Sequence, residues 1–284
     1  MKYRFLIPVL ILVLSVIGSA QKLSKALEAY NQGLEFQDRG DVANALRLYD
    51  QAIELDPRLL DAYNNRANLK IAAGDLVGAI ADFSKAIEIE PKQGLSYYNR
   101  GNIYLEQGEY DSAIKDFSSA ITIYDGLTNA YDKRAHAMSF NNRGNALLAK
   151  GEPKLALNDF NRAINILPKS FEALTGSGAA KFQLGDKAGA VADYSAALAI
   201  LPKNPVILMN RAGALEDLDP HASIRDYNLV IELEPANALA YARRGLTFLE
   251  VGRKSDAITD LRKAIGLNPA LKEEFEPFLQ RALK

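Results

Sequence analysis

The chain of 284 residues has no cysteine, no tryptophan, only two histidines, and 34 basic against 35 acidic side chains. Without cysteine there is no disulfide in any compartment, no thiol nucleophile and no lipid anchor on that residue type, so packing must hold the fold. The near balance of charge lacks the single-sign field that marks a nucleic-acid or acidic-membrane binder. His136 and His221 lie in different parts of the chain, and no metal-ligand spacing occurs around either. Gly176-Ser177-Gly178 has the composition of a phosphate loop, but no strand precedes it and its register falls inside a helix. The expectation is a protein without catalytic residues, cofactor or metal, whose ligand is neither nucleic acid nor a small-molecule substrate.

Residues 1–20 differ from the rest. Met1-Lys2-Tyr3-Arg4 is a short basic start, and Phe5 to Gly18 is almost wholly apolar. This is the layout of an export signal. The apolar run is shorter than the roughly 20 residues a membrane-crossing helix needs, and Pro8 weakens it further. Gly18 and Ala20 suit a signal peptidase cutting before Gln21, which predicts a periplasmic or secreted protein; the alternative is a chain tethered to the membrane by residues 5–18. Taking Lys2 and Arg4 from the 34 bases leaves 32 against 35 acids, a net charge of −3.

The remainder is periodic. Prolines 57, 91, 168, 202, 235 and 269 are separated by 34, 77, 34, 33 and 34 residues, and Asp125 stands where a proline is due inside the long gap. Overlaying the segments aligns a small residue in the first helix of each unit, at Gly33, Ala67, Gly101, Gly144, Gly178, Ala212 and Gly245. In the second helix, Ala45, Ala79, Ala113, Ala156, Ala190, Ser223 and Ala257 align, and seven residues later Ala52, Ala86, Ala120, Ala163, Ala197, Val230 and Ala264. Small side chains on facing helices let their backbones approach closely. Large residues fill what remains: Tyr63, Tyr97, Phe140 and Tyr241 on first helices, and Tyr49, Phe83, Phe117, Phe160, Tyr194, Tyr227 and Leu261 on second helices. Gly40, Gly74, Gly108, Gly151, Gly185 and Gly252 supply turns between helices, and the prolines stop the second helix of each pair.

These columns resemble the tetratricopeptide repeat family over residues 26 to 269. The expected organisation is a signal peptide at 1–20, a leader at 21–25, and seven repeats at 26–59, 60–93, 94–127, 137–170, 171–203, 204–237 and 238–269. An insertion at 128–136 precedes the fourth repeat. Leu271, Phe275, Phe278, Leu279 and Ala282 recur at helical spacing in 270–284, which predicts a capping helix that Pro277 starts or kinks. The fold class is all-α, and the resemblance implies a right-handed superhelical solenoid whose first helices line a concave groove holding peptides or partner domains. The sixth repeat has lost one residue and its glycine at Asp219-Pro220, so a shorter, stiffer turn is expected there.

Packing leaves three features unexplained. Arg66, Arg100, Arg143, Arg211 and Arg244 accompany Asp82, Asp116, Asp159, Asp226 and Asp260; the first unit lacks both partners, having Gln32 and Leu48, and the fifth has Ser177 with Asp193. A planar guanidinium can satisfy a carboxylate with two hydrogen bonds, so an internal ion-pair ladder is expected. Asn31, Asn65, Asn99, Asn142 and Asn210 form a second column, and Asn64, Asn68, Asn102, Asn141 and Asn145 add to it in repeats two to four. Asparagine is a poor helix former, by roughly 0.6 kcal/mol against alanine. Either the amides bond within the repeats, or they face the groove and donate to and accept from a peptide main chain. The second reading is similar to the asparagine ladder of the O-linked N-acetylglucosamine transferases, members of the same repeat family. The family's carboxylate clamp does not match, because Asn64, Tyr98 and Asn141 stand where its first cation belongs, and Met138 and Asn142 where later ones do.

The third feature is the insertion. Tyr131-Asp132-Lys133-Arg134-Ala135 imitates Phe140-Asn141-Asn142-Arg143-Gly144 nine residues later, half a helical turn out of phase. No glycine or proline interrupts Leu127 to Arg143, so the fourth repeat's first helix is predicted to be longer by two turns. It is either a tolerated insertion or a projecting contact bearing Tyr131, Lys133, Arg134 and His136. The partner expected from the resemblance is a protein or peptide held by Asn64, Asn65, Asn68, Tyr98, Asn99, Asn102, Asn141, Asn142, Asn145 and Tyr131. An architectural or oligomerisation module with an empty groove is the alternative.

Overall fold

Asp75, Asp186 and Asp219 each accept a hydrogen bond from the backbone N–H three residues on, starting the second helix of a hairpin. At the other side of the same turns, Gly74 and Gly185 take φ of +81° and +85°, which L side chains rarely adopt. Gly74 donates to the Ile71 carbonyl at 2.9 Å and Asp75 to that of Lys70 at 2.8 Å, closing the preceding helix. This local chemistry recurs along the chain and gives an all-α tandem array, with no strand among the described residues.

The computed structural model describes residues 6–284, with side chains from residue 20 onward. The basic start and apolar side chains of the expected signal peptide therefore lie outside the described residues, and only the backbone from Leu6 is traced there, as part of the first helix. Among the described residues no helix is long and apolar enough to cross a membrane.

The chain divides into two compact units. The first, up to Asp125, contains three hairpins: α1 (Leu6–Asp38) with α2 (Val42–Leu55), α3 (Leu60–Ala72) with α4 (Leu76–Ile89), and α5 (Gly94–Glu106) with α6 (Tyr110–Tyr124). The second, from Gly126, contains four: α7 (Ala130–Ala149) with α8 (Pro153–Ile166), α9 (Phe171–Gln183) with α10 (Lys187–Ile200), α11 (Pro205–Leu215) with α12 (Pro220–Leu233), and α13 (Ala238–Glu250) with α14 (Lys254–Leu267). A 3-10 turn (Pro269–Leu271) leads into α15 (Lys272–Leu283).

The small column of the first helix faces the large column of the second, an aromatic ring at Tyr49, Phe117, Phe160 and Tyr194 and Leu261 in the last hairpin. A Cβ added at Gly33 would lie 2.7 Å from the Tyr49 ring, at Gly144 2.8 Å from Phe160, and at Gly178 2.7 Å from Tyr194. Tyr49, Phe83, Phe117 and Phe160 are fully buried, each contributing about 1.5–3 kcal/mol through burial. α15 buries Phe275, Leu279 and Ala282, the first two against Ala242, Leu261 and Ala264 at the end of the last hairpin. It runs through Pro277 as one helix, because the buried pair Phe275 and Leu279 anchors its face on either side of the proline.

Two helices depart from the repeat length. α11 has 11 residues where α9 and α13 have 13, and its turn lacks a positive-φ glycine; Asp219 caps α12 and Pro220 opens it. α7 has 20 residues, seven more than α5, which is about two extra turns. Asn129 caps those turns by accepting from the Asp132 N–H.

Candidate functional site

The arginine and aspartate columns are an internal ladder. Arg100 Nε and Nη2 donate to the two carboxylate oxygens of Asp116 at 2.7 and 2.8 Å, and Arg143 holds Asp159 with the same distances. Arg66–Asp82, Arg211–Asp226 and Arg244–Asp260 repeat the fork. All five aspartates are buried. Several guanidinium groups also lie over an aromatic ring three residues earlier, as Arg66 does over Tyr63 at 5.5 Å. Burial disfavours the Arg66 charge, but the hydrogen bonds and charges of Asp82 and Asp50 outweigh it and raise its pKa; Asp116 does the same for Arg100.

The third guanidinium nitrogen is not idle. Nη1 of Arg66 donates to Asp50 at 2.6 Å, of Arg100 to Ser84 at 2.8 Å, of Arg211 to Ser195 at 3.1 Å and of Arg244 to Asn228 at 2.6 Å. Each acceptor sits on the second helix of the preceding hairpin, so one arginine ties two hairpins together. In the fifth hairpin Ser177 donates to Asp193 at 2.6 Å and Lys181 supplies the missing charge at 2.7 Å. These charges are committed to the scaffold.

The asparagines separate into different roles. Asn64 is buried; its amide donates to Gln93 Oε1 at 3.2 Å and accepts from Ser96 Oγ at 2.8 Å, which binds α3 to the start of α5. It is removed from the surface where a groove ligand would need it. Asn65, half-buried, donates to the Tyr30 hydroxyl at 2.9 Å. Tyr98 packs its ring 6.0 Å from that of Phe117, and Asn102 beside it is half-buried. Asn68 and Asn145 are exposed and Asn99 is half-buried, and none of the three makes a side-chain hydrogen bond among the described residues. Tyr131, at 63% exposure, points off the extra turns of α7, whereas its sequence counterpart Phe140 is half-buried.

In the second unit two of the expected residues come together. Asn141 and Asn142 line a cleft of about 760 Å³ between α7 and the turn joining α8 to α9. Asn141 donates to Asn142 Oδ1 at 3.0 Å, while its own Oδ1 is buried with no hydrogen-bond partner. Ala130 and Arg134, from the extra turns, continue the wall; Leu167, Lys169, Ser170, Phe171 and Glu172 form the other side. Sequence reasoning left Arg134 either in a tolerated insertion or on a projecting helix, and missed Lys169, Ser170 and Glu172. The available signal was a polar Lys-Ser-x-Glu stretch following Pro168 directly after the lengthened repeat. Tyr131 and Asn145 do not line the cleft.

Comparison with known proteins agrees with this architecture. Tetratricopeptide repeat models match residues 33–74, 67–108, 92–169 and 238–271. The chain is 31% identical over 94 residues to the Hsp70-Hsp90 organizing protein of Triticum aestivum, a stretch covering 33% of this chain and 16% of that protein. It thus spans far less than two thirds of that relative. A tetratricopeptide repeat protein from Parabacteroides merdae is similar in structure with a TM-score of 0.65 at 20% identity, over 92% of this chain and 100% of that one. YrrB, described as a tetratricopeptide repeat protein with an unusual peptide-binding site, matches with a TM-score of 0.54 at 24% identity, over 68% of this chain and 95% of its own. With its repeating columns, its hairpins of facing small and aromatic residues, and these matches, the chain belongs to the tetratricopeptide repeat family.

Proposed function

We propose that the chain is a non-catalytic scaffold that binds an extended segment of another protein, and that it acts after export. The observation that carries the reading is the set of amides that the fold does not use. Asn68 on α3, Asn99 on α5 and Asn145 on α7 stand in helices that alanine would favour, and no side-chain hydrogen bond among the described residues offsets the difference. An uncommitted side-chain amide can donate to a peptide carbonyl and accept from a peptide N–H, which recognises main chain with little regard to sequence. Membership of a repeat family, and relatives named for organising chaperones or for a peptide-binding site, support interaction as the activity. The signal-like layout of residues 1–20 supports export.

The test joins stability to capture. Replacing Asn68, Asn99 and Asn145 together by alanine should raise folding stability by about 2 kcal/mol, from roughly 0.6 per site. The same variant should lose the partner that the wild-type chain crosslinks in its native compartment. Retention of that partner at wild-type yield sinks the interaction reading for these amides. The mass of the chain recovered from cells reports separately on export, since cleavage leaves Gln21 at the N terminus.

A further inference from the structure

We propose that the cleft between α7 and the α8–α9 turn is a binding site for a partner segment that sets a large apolar side chain beside a carboxylate. This rests on the interaction reading above and names the chemistry of the ligand at one place. Ala137 and Phe171 give the cleft an apolar lining, and its volume of about 760 Å³ falls within the roughly 300–1,000 Å³ typical of ligand sites. Arg134 and Lys169 both line it, and neither forms an ion pair among the described residues. The acid that lines it, Glu172, already accepts from Ser170 Oγ at 2.9 Å. The site therefore carries two uncompensated cations against one hydrogen-bonded carboxylate, and its complement is an anion. The buried Asn141 Oδ1 lacks a donor, a deficiency that a peptide N–H laid along α7 would remove.

The insertion supplies part of the cleft wall. Ala130 and Arg134 lie in residues 128–136, which a repeat of ordinary length does not contain. Arg134 is also a helical neighbour of Met138, so its charge sits over apolar surface from which water is displaced when a ligand side chain enters. The cations come from the extra turns and the turn after Pro168, while Met138, Asn141 and Asn142 line the cleft from the later turns of α7.

The experiment titrates labelled nonapeptides of Gly-Ser background into the full chain. Each carries a central Phe-Asp, Phe-Lys, Ser-Asp or Ser-Lys pair and is made with both a free and an amidated C terminus. Phe-Asp peptides should bind about tenfold more tightly than Phe-Lys or Ser-Asp peptides. In the double variant R134E/K169E the order of Phe-Asp and Phe-Lys should invert, with helical circular dichroism and melting unchanged. Ala130→Phe, which fills the cleft from its exposed wall, should weaken Phe-Asp binding by a similar factor. Retained preference in the amidated series assigns the carboxylate to a side chain; preference confined to free termini assigns it to a chain end. Equal binding of all four pairs by the wild-type chain, or an unchanged order in the double variant, overturns the site. The broader reading fails on a different result, retention of the crosslinked partner by the triple asparagine variant.

Discussion

The α4–α5 junction is tied by a charge, and the α8–α9 junction by the absence of a side chain. In the first, Arg100 is gripped by Asp116 of its own hairpin and extends Nη1 to Ser84 on α4. In the second, Ser177 replaces the arginine and is spent on Asp193. Gly176 next to it lets α9 close onto α8, so near that an added Cβ would lie 2.3 Å from the Phe160 ring. Both solutions give the second-helix aspartate a partner, buried at Asp116 and half-buried at Asp193, and bring neighbouring hairpins into register. One works through directed hydrogen bonds, the other through dispersion at close range. The repeat therefore requires a contact at this position but leaves its chemistry open.

The strongest way to break this equivalence is Asp116→Ala. Arg100 would be left half-buried with Ser84 as its remaining polar partner, and removal of one member of a buried ion pair costs about 3–5 kcal/mol. Urea denaturation should show that loss. Gly176→Leu should cost about 1–3 kcal/mol by overpacking against Phe160, while Gly266→Ala, at a helical site with nothing within 4 Å of the added carbon, should stabilise the chain. Equal effects at the two glycines would mean that α8 and α9 are not held by close approach. The smallest change is Ser84→Ala, which deletes only the reach between hairpins; about 1 kcal/mol is expected in denaturation, with the Arg100–Asp116 fork intact.

Much of the hairpin chemistry was legible because each column carries one kind of side chain. Gly144 and Phe160 recur as small and aromatic in their own columns, and the structure sets them face to face. The ladder was legible for a stronger reason: the first repeat has lost Arg and Asp together, as Gln32 and Leu48. The reach of Nη1 was not legible, since its acceptors Asp50, Ser84, Ser195 and Asn228 share polarity but no residue type. The asparagines show the same limit. Asn64, Asn65 and Asn68 occupy one helix, and what distinguishes them is Gln93 and Ser96 of the next hairpin and Tyr30 of the previous one. The added length of α7 follows from an uninterrupted helical stretch. The cleft does not, because its opposite wall, residues 167–172, is a turn that lies a whole helix further along the chain and is brought near by hairpin closure.

The backward reach of the arginines also bears on how the chain comes into being. Every described Nη1 acceptor precedes its arginine, and each buried aspartate belongs to the arginine's own hairpin. A hairpin leaving the ribosome or a translocation pore finds its partners already made, so no buried carboxylate waits for sequence still to be synthesised. Within each compact unit hairpins can close one at a time from the N-terminal side, with Arg66, Arg100, Arg211 and Arg244 each added as a latch on the hairpin before it.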